Sequence, residues 1–409
     1  MRNKIYIGDN LIVMKSKDFS EYAGKIDFIY IDPPYNTTNN TLTFYDNNNS
    51  WVNDISERLQ LAKNFMSESG VIFISIDDNE LSNLLSACYL IFGKENYIGL
   101  FITKQSQRSN AKHINVIHEY ILAFAKNKKN ADRFYIRRLE NPTESVRINS
   151  LIQKVKAAFK KSQKEAVKEL KEQIEKYVKE TGETWIKNYS NIDENGNIFF
   201  AKDLSVPGKP NRLDIDEIGL HLEPLKTRSW SSKEKILSLY KDNRLCYKKG
   251  RPYAIEYIEE ATNNVPSLLD FYSRQGTNDL KKMGLNGLFA TPKPVELIKF
   301  LIRCSMHKDS LILDFYAGSG TTAQAVYEIN KEDYSNHKYI LIQLEEKINQ
   351  KNDAFLILKQ KGYENPTVDN AMILRINTFL ELNKLDRDYV IERLTDDRST
   401  FKREFPSDK

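Results

Sequence analysis

Residues 311–322 read LILDFYAGSGTT, which combines an apolar run, a glycine turn and the start of an amphipathic segment. The run LILD is typical of a buried strand, and the small and hydroxyl residues after it favour a turn into a helix. Glycine lets a backbone approach a ligand closely, and a helix N-terminus presents unpaired N–H groups. The stretch therefore predicts a strand, a turn that is suited to a ligand, and a helix.

The spacing within this turn differs from two common phosphate-binding motifs. It contains neither the G-x-G-x-x-G pattern of dinucleotide sites nor the Gly-Lys-Ser/Thr ending of a phosphate loop. A nucleoside site and a simple packing turn are therefore both open on this stretch alone.

A second motif, Asp32-Pro33-Pro34-Tyr35, follows the apolar run IDFIYI at residues 26–31. The run predicts a strand, so the motif lies at the carboxyl end of that strand, where open α/β sheets bind their ligands. The two prolines stiffen the turn. An ordinary strand-ending turn has a similar composition, but the presence of both motifs favours a functional site.

The rest of the chain suggests an insertion in an α/β domain. Short β-branched and aromatic runs alternate with helical stretches over residues 4–125 and again from Pro294, which predicts βαβ units on a parallel sheet. Residues 147–181 are rich in Lys, Glu and Ala and predict a helical hairpin. Its apolar positions at helical spacing are Leu151, Val155, Val167, Leu170, Ile174 and Tyr177.

The composition narrows the class of protein. The 409 residues are 40% hydrophobic and carry a net charge of only +5, so affinity for a polyanion requires local basic patches. The three cysteines lack the spacing of a zinc site or a disulfide framework, and no apolar run is long enough for a membrane helix. We expect a cytoplasmic protein without a metal or a membrane partner.

The two motifs together resemble the amino-DNA methyltransferases, specifically the permuted β group that includes the modification subunits of type III restriction systems. Further matching stretches are GVIFISIDDNE, IFGKENYIG, NVIHEYILAFAKN, GTND at 276–279 and FATPKPVELI at 289–298. The catalytic motif precedes the glycine turn, which is the order of a circularly permuted member. Protein-glutamine methyltransferases carry Asn in place of Asp32 and keep the unpermuted order.

The resemblance implies an α/β fold. This is a circularly permuted, Rossmann-like, S-adenosylmethionine-dependent methyltransferase sheet with helices on both faces, plus an inserted mixed and helical target-recognition region. Residues 1–130 would form the catalytic half and 266–380 the cofactor-binding half. Residues 131–265 would hold the hairpin and the target-recognition region, and 381–409 a charged C-terminal helix or tail.

The resemblance also assigns site residues. The catalytic residues would be Asp32, Pro33, Pro34 and Tyr35. Gln343 ends the strand KYILIQ, where methyltransferases commonly place an acid for the ribose hydroxyls. The residues that would bind the cofactor are Asp9, Phe289, Thr291, Pro292, Lys293, Asp314, Phe315, Gly318, Ser319, Gly320, Thr321, Thr322 and Gln343.

The chemistry of the first motif suits methylation of an exocyclic amine, whose lone pair is delocalised into the ring. Asp32 and the Pro33 carbonyl can accept the two N–H bonds and stabilise the developing charge, and Tyr35 offers a face for an extruded base. The resemblance implies site-specific methyl transfer from S-adenosylmethionine to N6 of adenine in double-stranded DNA, within a restriction-modification system.

Two alternatives are kept. N4-cytosine methylation uses the same mechanics, although Asp at position 32 favours adenine because the cytosine enzymes of this group more often begin the motif with Ser. The second alternative is a DNA-recognition subunit of a restriction complex. The sequence counts against it because it keeps the motif residues Asp32, Tyr35, Gly318 and Gly320. A homodimer and a restriction-nuclease partner are left open.

Basic residues interleaved with aromatic ones mark a candidate DNA-facing region between residues 133 and 253. Lys104, Arg108 and Lys112 are equally compatible with a DNA channel and a solvated loop. The basic candidates in the region are Arg137, Arg138, Lys226, Arg228, Lys248, Lys249 and Arg251.

Overall fold

A computed structural model of the chain describes residues 2–37, 50–105, 113–395, 397–398 and 400–405. The chain divides into two compact units, Met1–Phe134 with Val265–Lys409, and Tyr135–Asn264. The sequence of the second unit is thus inserted into that of the first. Arg108 and Lys112, two of the candidate basic residues, lie outside the described residues.

The structure contains strands in both units. In chain order they are β1 Asn3–Ile7, β2 Ile26–Ile31, β3 Met66–Ile76, β4 Tyr97–Lys104, β5 His118–Ala125, β6 Ile136–Arg137, β7 Asn191–Ile192, β8 Ile198–Asp203, β9 Ser205–Val206, β10 Leu213–Ile215, β11 Leu220–Leu222, β12 Ser229–Trp230, β13 Leu245–Lys248, β14 Arg251–Tyr257, β15 Thr262–Asn263, β16 Leu268–Tyr272, β17 Leu311–Asp314, β18 Lys338–Gln343, β19 Tyr389–Leu394 and β20 Phe401–Glu404.

Helices alternate with these strands. They are α1 Asn10–Lys15, α2 Trp51–Phe65, α3 Leu81–Phe92, α4 Pro142–Phe159, α5 Gln163–Thr181, α6 Lys233–Lys241, α7 Arg274–Lys282, α8 Val295–Ser305, α9 Thr321–Asp333, α10 Asp353–Gln360 and α11 Val368–Asn383. None of the helices in the described part of the chain combines the length and the apolar character needed to span a membrane.

The first unit is built on a ten-stranded sheet with the order β16-β4-β5-β3-β2-β17-β18-β1-β19-β20. Strands β2 and β17 are parallel neighbours, with Ile312 opposite Phe28 and Leu313 opposite Ile29. From β2 the chain continues to β3 on one side, and from β17 to β18 on the other side. The loops after β2 and β17 therefore diverge at a topological switch point, where such sheets bind ligands. This order confirms the permuted sheet predicted from the sequence.

Apolar residues cover both faces of this sheet. Along β2, Phe28 and Tyr30 pack in one core cluster and Ile29 and Ile31 pack in the other, as the two-residue period of a strand requires. Residues of α8, α9 and α11 join the first cluster, and residues of α1, α2 and α3 join the second. Burial on both faces explains why IDFIYI is almost continuously apolar.

The sheet is mostly parallel, as the sequence predicts, but the pairings at β5 and β20 are antiparallel. Strand β5 runs antiparallel to both β3 and β4, and β20 runs antiparallel to β19. Strands β4 and β5 are consecutive in the chain and pair directly. Consecutive strands that pair in this way return antiparallel unless a crossover passes over the sheet.

The C-terminal region also differs from the prediction of a charged helix or tail over residues 381–409. Helix α11 ends at Asn383, and β19 then pairs parallel with β1. The charges that indicated an exposed segment form cross-strand pairs instead, with Arg403 Nη2 at 2.6 Å from Glu392 Oε1 and Arg393 Nε at 3.5 Å from Glu404 Oε1. Opposite charges facing each other stabilise a sheet edge.

The second unit contains the predicted helical hairpin and a four-stranded sheet of order β13-β14-β8-β7. Helices α4 and α5 bury the predicted apolar positions, with one exception: Val167 is 54% exposed. Ala166 is buried in its place because consecutive helical residues point about 100° apart.

Strand β19 gives a test of the C-terminal structure. Ile391 is 6% exposed and packs in the main core, so Ile391→Ala is expected to lower the free energy of unfolding by about 2–5 kcal/mol. Urea unfolding followed by circular dichroism measures this change. Lys402→Ala, at an exposed position of the adjoining β20, is the control and is expected to change it by less than about 0.5 kcal/mol. Equal stability of the two variants would contradict the placement of β19.

Candidate active site

The two sequence motifs meet at the switch point of the sheet. Asp32 follows the last residue of β2, and the glycine turn at 315–320 follows β17, its parallel neighbour. The carboxyl ends of adjacent parallel strands lie at the same edge, so segments far apart in the chain face each other there. Burial is the main cause of the raised pKa of Asp314, and the negative charge of Asp32 adds to it.

The side chain of Asp32 and three others form a polar cluster. The Tyr35 hydroxyl donates to Asp32 Oδ1 at 2.8 Å. The Lys293 ammonium donates to the Tyr35 hydroxyl at 2.7 Å and to Glu119 Oε2 at 2.6 Å, and lies 3.3 Å from Asp32 Oδ1. One ammonium thus bridges two carboxylates from different elements. We call Asp32, Tyr35, Glu119 and Lys293 the Asp32 cluster.

Burial and mutual charge set the protonation of this cluster. Burial raises the pKa of Asp32; the Lys293 ammonium opposes that shift, and the Glu119 carboxylate adds to it. Burial opposes the charges of Glu119 and Lys293, but their pairing lowers the pKa of Glu119 and, with Asp32, holds that of Lys293 well above its usual range. Lys293 is therefore a cation and Glu119 an anion at neutral pH.

Side chains around the Asp-Pro-Pro-Tyr loop hold its backbone. The Trp51 indole donates to the Pro34 carbonyl at 2.7 Å, and Pro33 is buried. Asn36 has a left-handed φ of 55°, and its amide donates to Glu80 Oε1 at 2.7 Å. Asparagine tolerates this conformation better than most residues. The loop is therefore anchored on both sides of Tyr35.

The glycine turn is organised by two polar side chains. Asp314 accepts from the Thr322 hydroxyl at 2.6 Å and from the Tyr316 N–H at 3.1 Å, and its burial raises its pKa to about 7. Gln343, at the end of the next strand, accepts from the Gly318 N–H at 2.7 Å. The Gln343 amide therefore supports the turn, and its predicted contact with a ribose stays a prediction.

The start of α9 connects the turn to the Asp32 cluster. Gly320 has φ 74°, and a Cβ there would lie 2.9 Å from Met372 Cγ. The hydroxyls of Ser319 and Thr321 are 3.0 Å apart, and that of Thr321 donates to the Lys293 carbonyl at 3.2 Å. A displacement of the turn therefore acts on the backbone of Lys293.

The Gly-Thr-Asn-Asp stretch at 276–279 supports the segment that carries Lys293. A Cβ on Gly276 would lie 1.9 Å from the Pro292 carbonyl oxygen, so only glycine allows this backbone approach. Asp279 accepts from the N–H of Val295, the first residue of α8, at 3.2 Å. Both contacts fix the backbone on either side of Lys293.

Asp9 lies in the turn after β1, beside the end of β18, where the Gly8 N–H donates to the Gln343 carbonyl at 2.9 Å. Its carboxylate caps α1 by accepting from the N–H groups of Leu11 at 2.9 Å and Ile12 at 3.2 Å. Asp9 is thus at the same sheet edge as the glycine turn. Its predicted contact with a cofactor adenine stays a prediction.

Three other residues that were predicted to bind the cofactor lie in three different surroundings. Phe315 is 1% exposed and packs in a core cluster on one face of the sheet, so its side chain supports the turn from the core. Phe289 packs partly buried against a cluster formed around α7, α10 and α11. Thr291 is exposed. Their predicted contacts with a cofactor stay predictions.

Sequence reasoning missed two charged residues at the site. Glu119 is the second residue of β5 and lies in NVIHEYILAFAKN, and the match of this stretch to the family was the available signal. Arg375 lies in α11 and contacts Ser319, and its neighbours in the sequence carry no motif. Arg138, one of the candidate DNA-facing residues, is instead 8% exposed and paired with Glu144 and Glu183.

Among the described residues, no group of three or more His, Cys, Asp or Glu side chains is arranged to hold a metal ion. At the Asp32 cluster, the single ammonium of Lys293 lies against two carboxylates.

Gly276→Ala tests the support of Lys293. The added methyl collides with the Pro292 carbonyl, so we expect the free energy of unfolding to fall by about 1–3 kcal/mol. Gly99→Ala is the matched control, because a Cβ there meets no atom within 4 Å and stability should be unchanged or slightly higher. Chemical unfolding of both variants gives the comparison, and a neutral Gly276→Ala would contradict the close approach.

Comparison with known proteins gives the family. The family model for DNA methylases of the N6 and N4 type matches residues 26–352, which include both sequence motifs. The chain is similar to the Mod subunit of the type III restriction-modification enzyme EcoP15I from Escherichia coli, with 29% identity over 85% of this chain and 59% of that protein.

Two further relatives differ in how much of their length is matched. The Mod subunit of the type III enzyme EcoPI from Escherichia phage P1 is 30% identical over 87% of this chain and 59% of that protein. The type II methyltransferase M.KpnI from Klebsiella pneumoniae is 27% identical over 92% of this chain and 87% of that protein. The chain thus spans less than two thirds of the length of the two Mod subunits. With a family match over most of its length and both motifs at one sheet edge, the chain belongs to the N6/N4 DNA methylase family.

Proposed function

We propose that this protein transfers a methyl group from S-adenosylmethionine to an exocyclic amino nitrogen of a DNA base, and that the target is N6 of adenine. The observation that carries the proposal is the Asp32 cluster, which lies beside a glycine turn at the switch point of the sheet. A carboxylate acceptor for an amine and a ligand-binding turn are the two parts that this reaction needs.

The glycine turn fits the methionine end of the cofactor. Within the described part of the chain, a Cβ on Gly318 would meet only the Tyr316 carbonyl, at 3.8 Å, so the space in front of this residue is open to a ligand. Asp314, Gly318, Ser319 and Gly320 would hold the methionine end. The bound cofactor supplies an electrophilic methyl group on its sulfonium.

Asp32 would act on the amine of an extruded base. Tyr35 and Lys293 both approach Oδ1 of its carboxylate, so we assign Oδ2 to one N–H of the target amine. The Pro33 carbonyl would accept the other N–H, and the ring of Tyr35 would stack on the base. Extrusion costs a few kcal/mol, which stacking and hydrogen bonds offset.

Lys293 would keep Asp32 ready to accept hydrogen bonds, and Glu119 would hold Lys293 in place. Burial of a lone carboxylate favours its protonated form, which has only part of its acceptor capacity. The Lys293 ammonium counteracts this, and Glu119 holds that ammonium from the other side at 2.6 Å. The proton lost by the methylated amine leaves to Asp32 or to water.

Double-stranded DNA is the proposed substrate, and a restriction-modification system the proposed setting. The family and the Mod subunits and M.KpnI among its relatives support both parts of this proposal. Under this proposal the second unit, residues 135–264, supplies target recognition. A restriction-nuclease partner and a homodimer remain part of the proposal.

Asp32 favours adenine over N4 of cytosine because related cytosine enzymes more often have Ser at this position. The family covers both amines. The chemistry of the Asp32 cluster serves either base, so the methylated nucleoside itself decides between them.

Asp32→Ala is expected to reduce methyl transfer at least about 100-fold, because the amine loses its charged acceptor. The measurement is transfer from labelled S-adenosylmethionine to unmethylated genomic DNA, followed by nucleoside digestion and mass spectrometry. Binding of S-adenosylhomocysteine, followed by calorimetry, is expected to change little, since Asp32 lies outside the glycine turn. Asp32→Asn keeps the shape and is expected to be almost as inactive.

N6-methyladenine that disappears in the Asp32 variants supports the proposal in full. Detection of N4-methylcytosine would identify cytosine as the target base, while the proposed mechanism would stand. Full activity of Asp32→Ala would refute the role of the cluster, and absence of methylation despite cofactor and DNA binding would favour a DNA-recognition subunit.

The Asp32 cluster predicts opposite pH shifts in two variants. Activity requires ionised Asp32, so it is present above the pKa of that group and lost as pH falls through it. Lys293→Met removes a cation that lowers the pKa, and the acid limb of the kcat profile should move to higher pH. Glu119→Gln removes an anion that raises the pKa, and the limb should move to lower pH.

Lys126→Met is the control for this experiment, because Lys126 pairs with Glu68 at 3.0 Å on another part of the first unit. Its profile should match that of the unsubstituted protein. Shifts of Lys293→Met and Glu119→Gln in the same direction would contradict the electrostatic role, even if both variants are less active.

A further inference from the structure

Arg375, in α11, is the largest fully buried side chain of the described structure and lies directly against the glycine turn. Its Nη1 donates to the Ser319 hydroxyl at 2.5 Å and the Thr321 hydroxyl at 2.7 Å. Its Nε and Nη2 donate to Gln324 Oε1 at 3.3 and 3.0 Å. All of these acceptors are neutral.

This guanidinium lacks a carboxylate partner. Within the described residues no Asp or Glu oxygen lies within ion-pair distance of Arg375, whereas the other two buried basic side chains, Arg138 and Lys299, pair with two and three glutamates respectively. Burial lowers the pKa of Arg375 to about 10, and the more distant carboxylates of Asp279 and Glu328 oppose this shift only in part, so the guanidinium stays charged at neutral pH. A buried cation that no carboxylate contacts is unfavourable.

The position of Arg375 beside a helix N-terminus makes its positive charge more unfavourable. Arg375 contacts Thr321, the first residue of the 13-residue helix α9, and the first turn of this helix contains no acidic residue. A helix N-terminus carries a partial positive charge, so a cation is unfavourable there and an anion is favourable. The open space at Gly318 allows an anionic group to approach the same turn.

An acidic side chain whose pKa burial raises to about 7 lies against the same turn. Asp314, buried to 97%, holds the same turn through the Thr322 hydroxyl and the Tyr316 N–H. The turn therefore lies between a buried basic and a buried acidic side chain. A ligand with both a carboxylate and an ammonium group matches this arrangement, and the amino-acid end of S-adenosylmethionine has both.

We propose that Arg375 is a positioning residue that makes the glycine turn select ligands with an α-carboxylate, acting through the hydroxyls of Ser319 and Thr321. This inference rests on the proposed function. The proposal predicts that binding of the amino-acid end of the ligand depends on Arg375. Binding of the adenosine end should not depend on it.

The experiment compares two ligands by titration calorimetry. S-adenosylhomocysteine carries the α-carboxylate, while methylthioadenosine keeps the adenosine and the sulfur and lacks the amino-acid group. Arg375→Met is expected to weaken binding of S-adenosylhomocysteine by about tenfold, the effect of losing one charge-assisted interaction. Its affinity for methylthioadenosine should remain within about twofold of the unsubstituted protein. Arg375→Lys should recover part of the loss, since it keeps the charge.

Arg303→Met is the matched control: this arginine, in α8 of the same unit, pairs with Glu332 and Asp333 and should leave both affinities unchanged. If Arg375→Met fails to fold, Ser319→Ala with Thr321→Val removes the connecting hydroxyls and should show the same discrimination. Equal losses for both ligands, or no loss for either, would overturn the inference while the proposed function stands. Failure of the unsubstituted protein to bind either ligand would overturn the proposed function, and this inference with it.

Discussion

Strands β2 and β17 lie side by side in the sheet, and their parallel pairing brings together segments from the two ends of the chain. The Leu311 N–H donates to Asp27 Oδ2 at 3.1 Å across 284 residues of sequence, and Phe28 and Ile29 pair with Ile312 and Leu313. The loops after these strands diverge at the switch point. The position of the Asp-Pro-Pro-Tyr loop relative to the glycine turn depends on this pairing, because the two segments follow neighbouring parallel strands.

The segment with Lys293 joins the two parts of the site. Its backbone is held by the close approach of Gly276 to Pro292, and its carbonyl accepts from the Thr321 hydroxyl at the start of α9. Its ammonium lies between Asp32 and Glu119. One residue thus contacts the start of α9 through its main chain and the Asp32 carboxylate through its side chain, so the backbone that follows the glycine turn and the charge state of Asp32 are physically connected.

Several errors of sequence interpretation have a common cause. The charged C-terminal residues form strands in which Glu392 and Arg403 face each other across a sheet edge. The spacing of apolar residues along the sequence does not reveal this pairing. Arg138 is basic and close to aromatic residues, as a DNA-contacting residue would be, but Glu144 and Glu183 neutralise it in the interior of the second unit. In each case the charge was visible in the sequence and its partner was not.

The sequence by itself determined the strands that carry the motifs, their permuted order, the inserted helical hairpin and the identity of Asp32 as the candidate acid. These depend on local properties: apolar runs, glycine and proline turns, and helical spacing within a few residues. Only the tertiary structure decided that Glu119 and Lys293 compensate each other beside Asp32, and that Arg375 lies behind the glycine turn with no acidic ion-pair partner among the described residues. Protonation and charge balance depend on distances of a few ångströms between residues that are far apart in the chain, and those distances exist only once the sheet has formed.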